Sequence, residues 1–132
     1  MKNILILLVV SLITAQTETN LFDIETRIRV LDGNILQVVV QVNNNSELAV
    51  ISLEGFITVY DAQLKIAEEK RLVLLKKYEP ELKPQSSISR SLNFNYEPKI
   101  APTFVFHISK IQFTGDHRIY TYHPSLGLIR ID

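Results

Sequence analysis

The chain alternates between apolar and polar positions for most of its length. Ile24, Thr26, Ile28 and Val30 alternate with Glu25, Arg27 and Arg29, the period of a strand with one buried face. Asp32-Gly33 follows, a pair suited to the positive φ angles of a tight turn. Ile35–Val42 then returns with Leu36, Val38, Val40 and Val42 on one face and Gln37 and Gln41 on the other, which predicts a hairpin. Asn43–Glu47 breaks the pattern and reads as a loop. Ala49–Asp61 is the long strand around which the rest is organised. Phe56 and Tyr60 lie on one side of it and are expected to be buried, and Gly55 predicts a bulge or a close backbone approach.

A tight turn at 61–63 leads into Lys65–Lys77, whose apolar positions fit no single period. Charge pairs within Glu68–Arg71 would support a helix, but the neighbouring strands and the preceding turn favour a strand with a bend. Pro80 and Pro84 mark Glu79–Ser87 as a loop. Ile88–Tyr96 alternates strictly, with Arg90 interrupting its apolar face and expected at a sheet end. Thr103–Thr114 is a long strand whose apolar face switches midway, the mark of a bend or bulge. Gly115-Asp116 turns the chain into His117–His123 and Leu126–Ile131. Seven or eight short strands with regular turn signals predict an all-β protein, a single antiparallel β-sandwich of immunoglobulin-like order over residues 24–132. An open barrel is the alternative.

The N-terminus changes this picture. Met1-Lys2-Asn3 is a basic start, Ile4–Ile13 is nearly unbroken Ile, Leu and Val, and Thr14-Ala15 supplies a small residue before Gln16. This is the pattern of a secretory signal peptide over residues 1–15, followed by a loose lead-in over 16–23. The apolar run, about ten residues, is short against the ~20 that span a bilayer. Contact with a membrane is therefore expected only if the segment stays uncleaved, and the expected location is secreted or periplasmic.

Composition narrows the chemistry. The 132 residues carry 14 basic and 14 acidic side chains, which argues against a nucleic-acid partner. With no cysteine, disulfides, thiolate metal sites and cysteine nucleophiles are excluded. His117 and His123 share a strand face but stand ~20 Å apart by strand rise, too far for one ion, so neither they nor His107 predict a metal site. Asp116, His117 and the serines supply the residue types of a hydrolytic triad without a supporting turn. Glu68-Glu69 and Glu79/Glu81 read as solvated carboxylates, and the four scattered glycines form no phosphate loop. No catalytic, cofactor-binding or metal residue is predicted, and the expectation is a protein that is not an enzyme. Asn44-Asn45-Ser46 fits the N-glycosylation pattern, though short asparagine loops are common. Arg118, Tyr120 and Tyr122 alternate along one strand face, and these residue types are favoured at binding hot spots. They are the candidate partner-binding residues; cross-strand stabilisation is the competing role.

The segment VVVQVNNNSELAVISLEGFITVYDAQLKIAEE followed by ELKPQSSIS resembles bacterial FxLYD-type extracytoplasmic modules and the related late-embryogenesis-type fold. Val42-Asn43, Phe56, Tyr60-Asp61 and Leu82-Lys83-Pro84 fill the matching places. Phe56 to Tyr60 is one residue longer than that pattern, and Gln63-Leu64 stands where it has a turn glycine. The resemblance covers about Ile35–Asn95 and implies a β-sandwich in an extracytoplasmic compartment. Two functions follow as expectations: an interaction or accessory subunit that docks an envelope protein, or a small-ligand or glycan-binding sandwich. The absence of tryptophan favours the first.

Overall fold

A computed structural model describes residues 20–97 and 101–132. The leader predicted over 1–15 and most of the lead-in lie outside these residues. Eight strands run in order: β1 (Phe22–Leu31), β2 (Ile35–Asn44), β3 (Val50–Tyr60), β4 (Ile66–Leu75), β5 (Ser87–Asn95), β6 (Thr103–Phe113), β7 (Tyr120–His123) and β8 (Gly127–Arg130). They form a three-stranded sheet, β1-β2-β5, and a five-stranded sheet, β4-β3-β6-β7-β8. Every ladder is antiparallel. The sheets face each other as a β-sandwich, and no helix occurs among the described residues.

The core lies between the inner faces. Leu36, Val38, Val40 and Val42 of β2 point inward, as their alternation predicts, and meet Phe94 of β5 and the inner residues of β3 and β6. β5 keeps its predicted face: Phe94 is buried, Ile88 and Leu92 pack partly against the core, and Arg90 stays exposed with Glu79 at 2.9 Å. Residues 65–77 supply the irregular strand β4. Its mixed period comes from two register breaks against β3, which leave Ala67 and Leu74 unmatched.

The face switch in β6 has a defined origin. Gly55 pairs with Ile108 and Glu54 with Lys110, so Ser109 has no partner opposite. This bulge shifts the inward set from Phe104, Phe106 and Ile108 to Ile111 and Phe113. Gly55 permits it: a Cβ there would overlap the backbone carbonyl of His107, so the two strands approach as only glycine allows.

Three expectations are corrected. Phe56 is not buried but 36% exposed, and Tyr60 only half-buried; the core face of β3 is Leu53, Ile57 and Val59. Both faces of this strand are apolar, so alternation alone did not choose. Pairing of Ile57 with Phe106 and Val59 with Phe104 decides it. Second, the strand starts at Phe22, within the expected lead-in, and Phe22 is a core residue against Tyr122. Third, the left-handed pair in the first hairpin is Gly33-Asn34, at φ 76° and 59°, rather than Asp32-Gly33.

Asn44 also departs from expectation. It ends β2 rather than opening a loop, and it is fully buried. Its side-chain Nδ2 donates to the carbonyls of Leu48 and Leu82 at 2.9 and 3.1 Å. Its Oδ1 accepts from the Ser46 amide at 3.0 Å and the Ser46 hydroxyl at 2.6 Å. One side chain thereby fastens the β2–β3 loop to the Leu82-Lys83-Pro84 segment. The amide nitrogen that glycosylation would need is enclosed and engaged.

Candidate functional site

The segment Arg118–Tyr122 does not form the exposed face its alternation suggested. Arg118 lies before β7, and its amide and Nε both donate to Asp116 Oδ1, at 2.9 and 3.0 Å. The adjacent guanidinium, with these bonds, holds the Asp116 carboxyl below the usual aspartate range. Tyr120 is half-buried edge-on against Phe113, with ring centroids 5.9 Å apart. Tyr122 is buried against Phe22 at 5.2 Å. The two tyrosines do share a face, but it is the face turned to the core, and Arg118 is committed to a local turn.

The other polar candidates are likewise dispersed. His107 is on β6, His117 in the loop before β7, and His123 ends β7 with its Nδ1 at 2.7 Å from the Ser125 hydroxyl. Among the described residues no group of three or more His, Asp or Glu side chains could hold a metal ion. Asp116 pairs with Arg118 rather than with His117. Glu68 sits at 3.6 Å from Lys70, Glu69 accepts from Thr58, and Glu81 accepts from Thr114.

The two seams where the sheets meet are unlike. Along one, Lys70 of β4 donates to the Asn93 carbonyl of β5 at 3.1 Å and lies 4.6 Å over the Phe94 ring, so the seam is closed. Along the other, β1 faces β6 and β7 across a cleft of about 560 Å³. Ile24 and Thr26 form one wall; Phe104, Phe106, Ile108 and Tyr122 contribute to the other. β7 has four residues against the eleven of β6, and the ladder between them holds the single pair Ile111–Tyr120.

β1 borders this cleft as a free edge. It pairs with β2 on one side over all ten residues and, among the described residues, has no strand on the other. Toward its end the covering sheet is lost, leaving Ile28 48% and Val30 69% exposed. A second shallow cleft, about 570 Å³, lies there against Arg27, Ile28, Arg29 and Val39. An exposed edge of this length offers a row of backbone donors and acceptors to another strand. Alternation predicted an inward Ile28 and Val30; among the described residues no strand stands opposite them, which leaves them exposed, and no local signal in β1 marks that. The brevity of the segment between Gly115 and Pro124 was the available hint.

The geometry therefore defines a β-sandwich with one closed seam and one open seam bordered by the edge of β1. No protein-family model matches the chain, and no curated protein matches it. It is similar to the crystal structure of a Bordetella pertussis protein provisionally named ApaA, at 10% identity and a TM-score of 0.44, covering 84% of this chain and 88% of that one.

Proposed function

We propose that the protein is a non-enzymatic, secreted or periplasmic β-sandwich that serves as an interaction or accessory subunit of a cell-envelope assembly, docking protein along the open edge of β1. The observation that carries this reading is the ten-residue free edge running beside an apolar cleft, with Ile28 and Val30 exposed at its end. The apolar run Ile4–Ile13 after Lys2 supports export. The order β1-β2-β5 against β4-β3-β6-β7-β8 supports an immunoglobulin-like arrangement, because the chain crosses between the sheets after β2, β4 and β5. The resemblance to FxLYD-type modules agrees with both. A glycan site would need clustered exposed aromatic platforms, whereas Tyr120 and Tyr122 turn toward the core and Tyr78 is the one largely exposed ring among the described residues, which favours a protein partner.

Photo-crosslinking in envelope preparations tests the proposal, with the reactive side chain placed at Ile28 or, as control, at the exposed Ser91 of β5. A defined protein adduct from Ile28 and none from Ser91 is expected. Equal labelling from both positions, or none from Ile28, refutes the docking edge. N-terminal sequencing of exported material should give Gln16 as the first residue.

A further inference from the structure

The outer face of β1 carries a charge order that is complementary to itself. Asp23 and Glu25 come first, Arg27 and Arg29 follow, and all four are exposed. Among the described residues, Arg71, Arg90, Arg118 and Arg130 each have a carboxylate partner, whereas Arg27 and Arg29 have none. Arg27 instead donates to the Gln41 side chain at 3.3 Å. Among the described residues neither Asp23 nor Glu25 takes part in an ion pair; Asp23 accepts from Asn45 Nδ2 at 2.7 Å.

We infer that the partner at this edge is a second copy of the same chain, paired antiparallel through β1 about a two-fold axis at Thr26. The inference rests on the reading of β1 as the docking edge and names its occupant. With Thr26 opposite Thr26, antiparallel register sets Glu25 opposite Arg27 and Asp23 opposite Arg29, and two-fold symmetry makes each pair twice. On the other face Ile24 stands opposite Ile28, and Val30 stands opposite Phe22, whose ring stays in its own core. Cross-strand pairs of opposite charge and of apolar residues are those that stabilise a ladder, and like charges directly opposite disfavour it. Simple edge protection requires charges of any sign; it does not require acids in one half and bases in the other. Two three-stranded sheets would join into one continuous sheet, and the apolar side chains stranded at the end of β1 would gain cover.

Two experiments on the exported chain test this. Because the protein has no cysteine, Thr26→Cys provides a single thiol. It should form a disulfide-linked dimer readily, since directly opposed Cβ atoms stand roughly 4.5–5.5 Å apart, whereas Val30→Cys should not. In sedimentation velocity, Glu25→Arg alone and Arg27→Glu alone should each shift the chain to monomer, and an equimolar mixture should restore a heterodimer. Circular dichroism of each variant confirms that it is folded. Monomeric wild type at high concentration together with no Thr26→Cys cross-link overturns the self-pairing. So does a dimer indifferent to both charge changes, or a mixture that stays monomeric. In those cases an Ile28 adduct to a different envelope protein would still uphold the docking edge, so the two failures are distinguishable.

Discussion

Replacing Asn44 by alanine removes four hydrogen bonds at one stroke. Their loss is unequal. The Leu82 carbonyl still accepts from the Val50 amide at 2.9 Å, and the Leu48 carbonyl still accepts from the Ser46 hydroxyl at 3.0 Å. The Ser46 amide loses the side-chain acceptor that served it and is left in a buried site. An orphaned buried donor costs ~1–3 kcal/mol, and each of the other lost bonds ~0.5–1.5 kcal/mol. The sum is about 2.5–7.5 kcal/mol, a large share of the ~5–15 kcal/mol available to a domain. Urea denaturation followed by circular dichroism measures it, with an unchanged m-value expected. Asn44→Asp separates the two halves of the network: it keeps the acceptor for Ser46 but turns a carboxylate toward two carbonyls, so it should be at least as damaging at neutral pH. Asn45→Ala, which loses only exposed bonds to Asn20 and Asp23, should cost less than ~1 kcal/mol. A loss below ~1 kcal/mol for Asn44→Ala would refute the role given to this network.

Three further outcomes are expected. Gly55→Ala should abolish folding or lower the melting temperature sharply, because its Cβ meets rigid backbone at His107; a melt within a few degrees of wild type would show that β6 can move away. Tyr122→Ala should cost ~3–5 kcal/mol as a buried aromatic, and Phe56→Ala clearly less, since its ring is partly solvated; the reverse order in denaturant titrations would invert the faces of β3. The bond from Arg71 holds the Glu54 carboxyl below the usual glutamate range, so its folded-state value lies below the unfolded one. Its stabilisation is present above the unfolded value, near pH ~4.3, and is lost as pH falls through the folded one. Stability curves from pH 7 to 3 should therefore flatten at the acid end in Glu54→Gln.

Much of the fold is readable from alternation where one face is apolar and the other polar, as in β2, with its valines inward and Gln37 and Gln41 outward. The switch within β6 is visible as a slip in its apolar spacing, and the bulge at Ser109 supplies its cause. Alternation fails where both faces are apolar, as in β3, since only pairing with β6 selects Ile57 over Phe56. It also fails for Phe22, a single aromatic in a polar stretch, buried because Tyr122 stands opposite. The candidate site was less legible. Tyr120 and Tyr122 have the composition of a binding face, but the same rings serve a core equally well, and their direction depends on strands distant in sequence. The free edge of β1 is a property of the sheet order, although its charge order is plain in the sequence once the edge is known.

The order of strands has a consequence for how the chain reaches this state. The chain crosses between the sheets three times: β1 and β2 lie in one, β3 and β4 in the other, β5 back in the first, and β6 to β8 in the second again. The three-stranded sheet has all its strands once β5 ends at Asn95, but the larger sheet lacks its central contacts, and the smaller one its cover, until the chain has been delivered through Phe113, when β6 closes onto β3. Until then a polypeptide emerging from its N-terminus holds the β3–β4 hairpin and an uncovered three-stranded sheet, and isolated hairpins are marginal in water. The packed sandwich is completed late, through contacts between residues far apart in sequence, which is a slow route. A chain passing lengthwise through a narrow pore would thus meet no finished obstacle to its passage until nearly all of it had crossed.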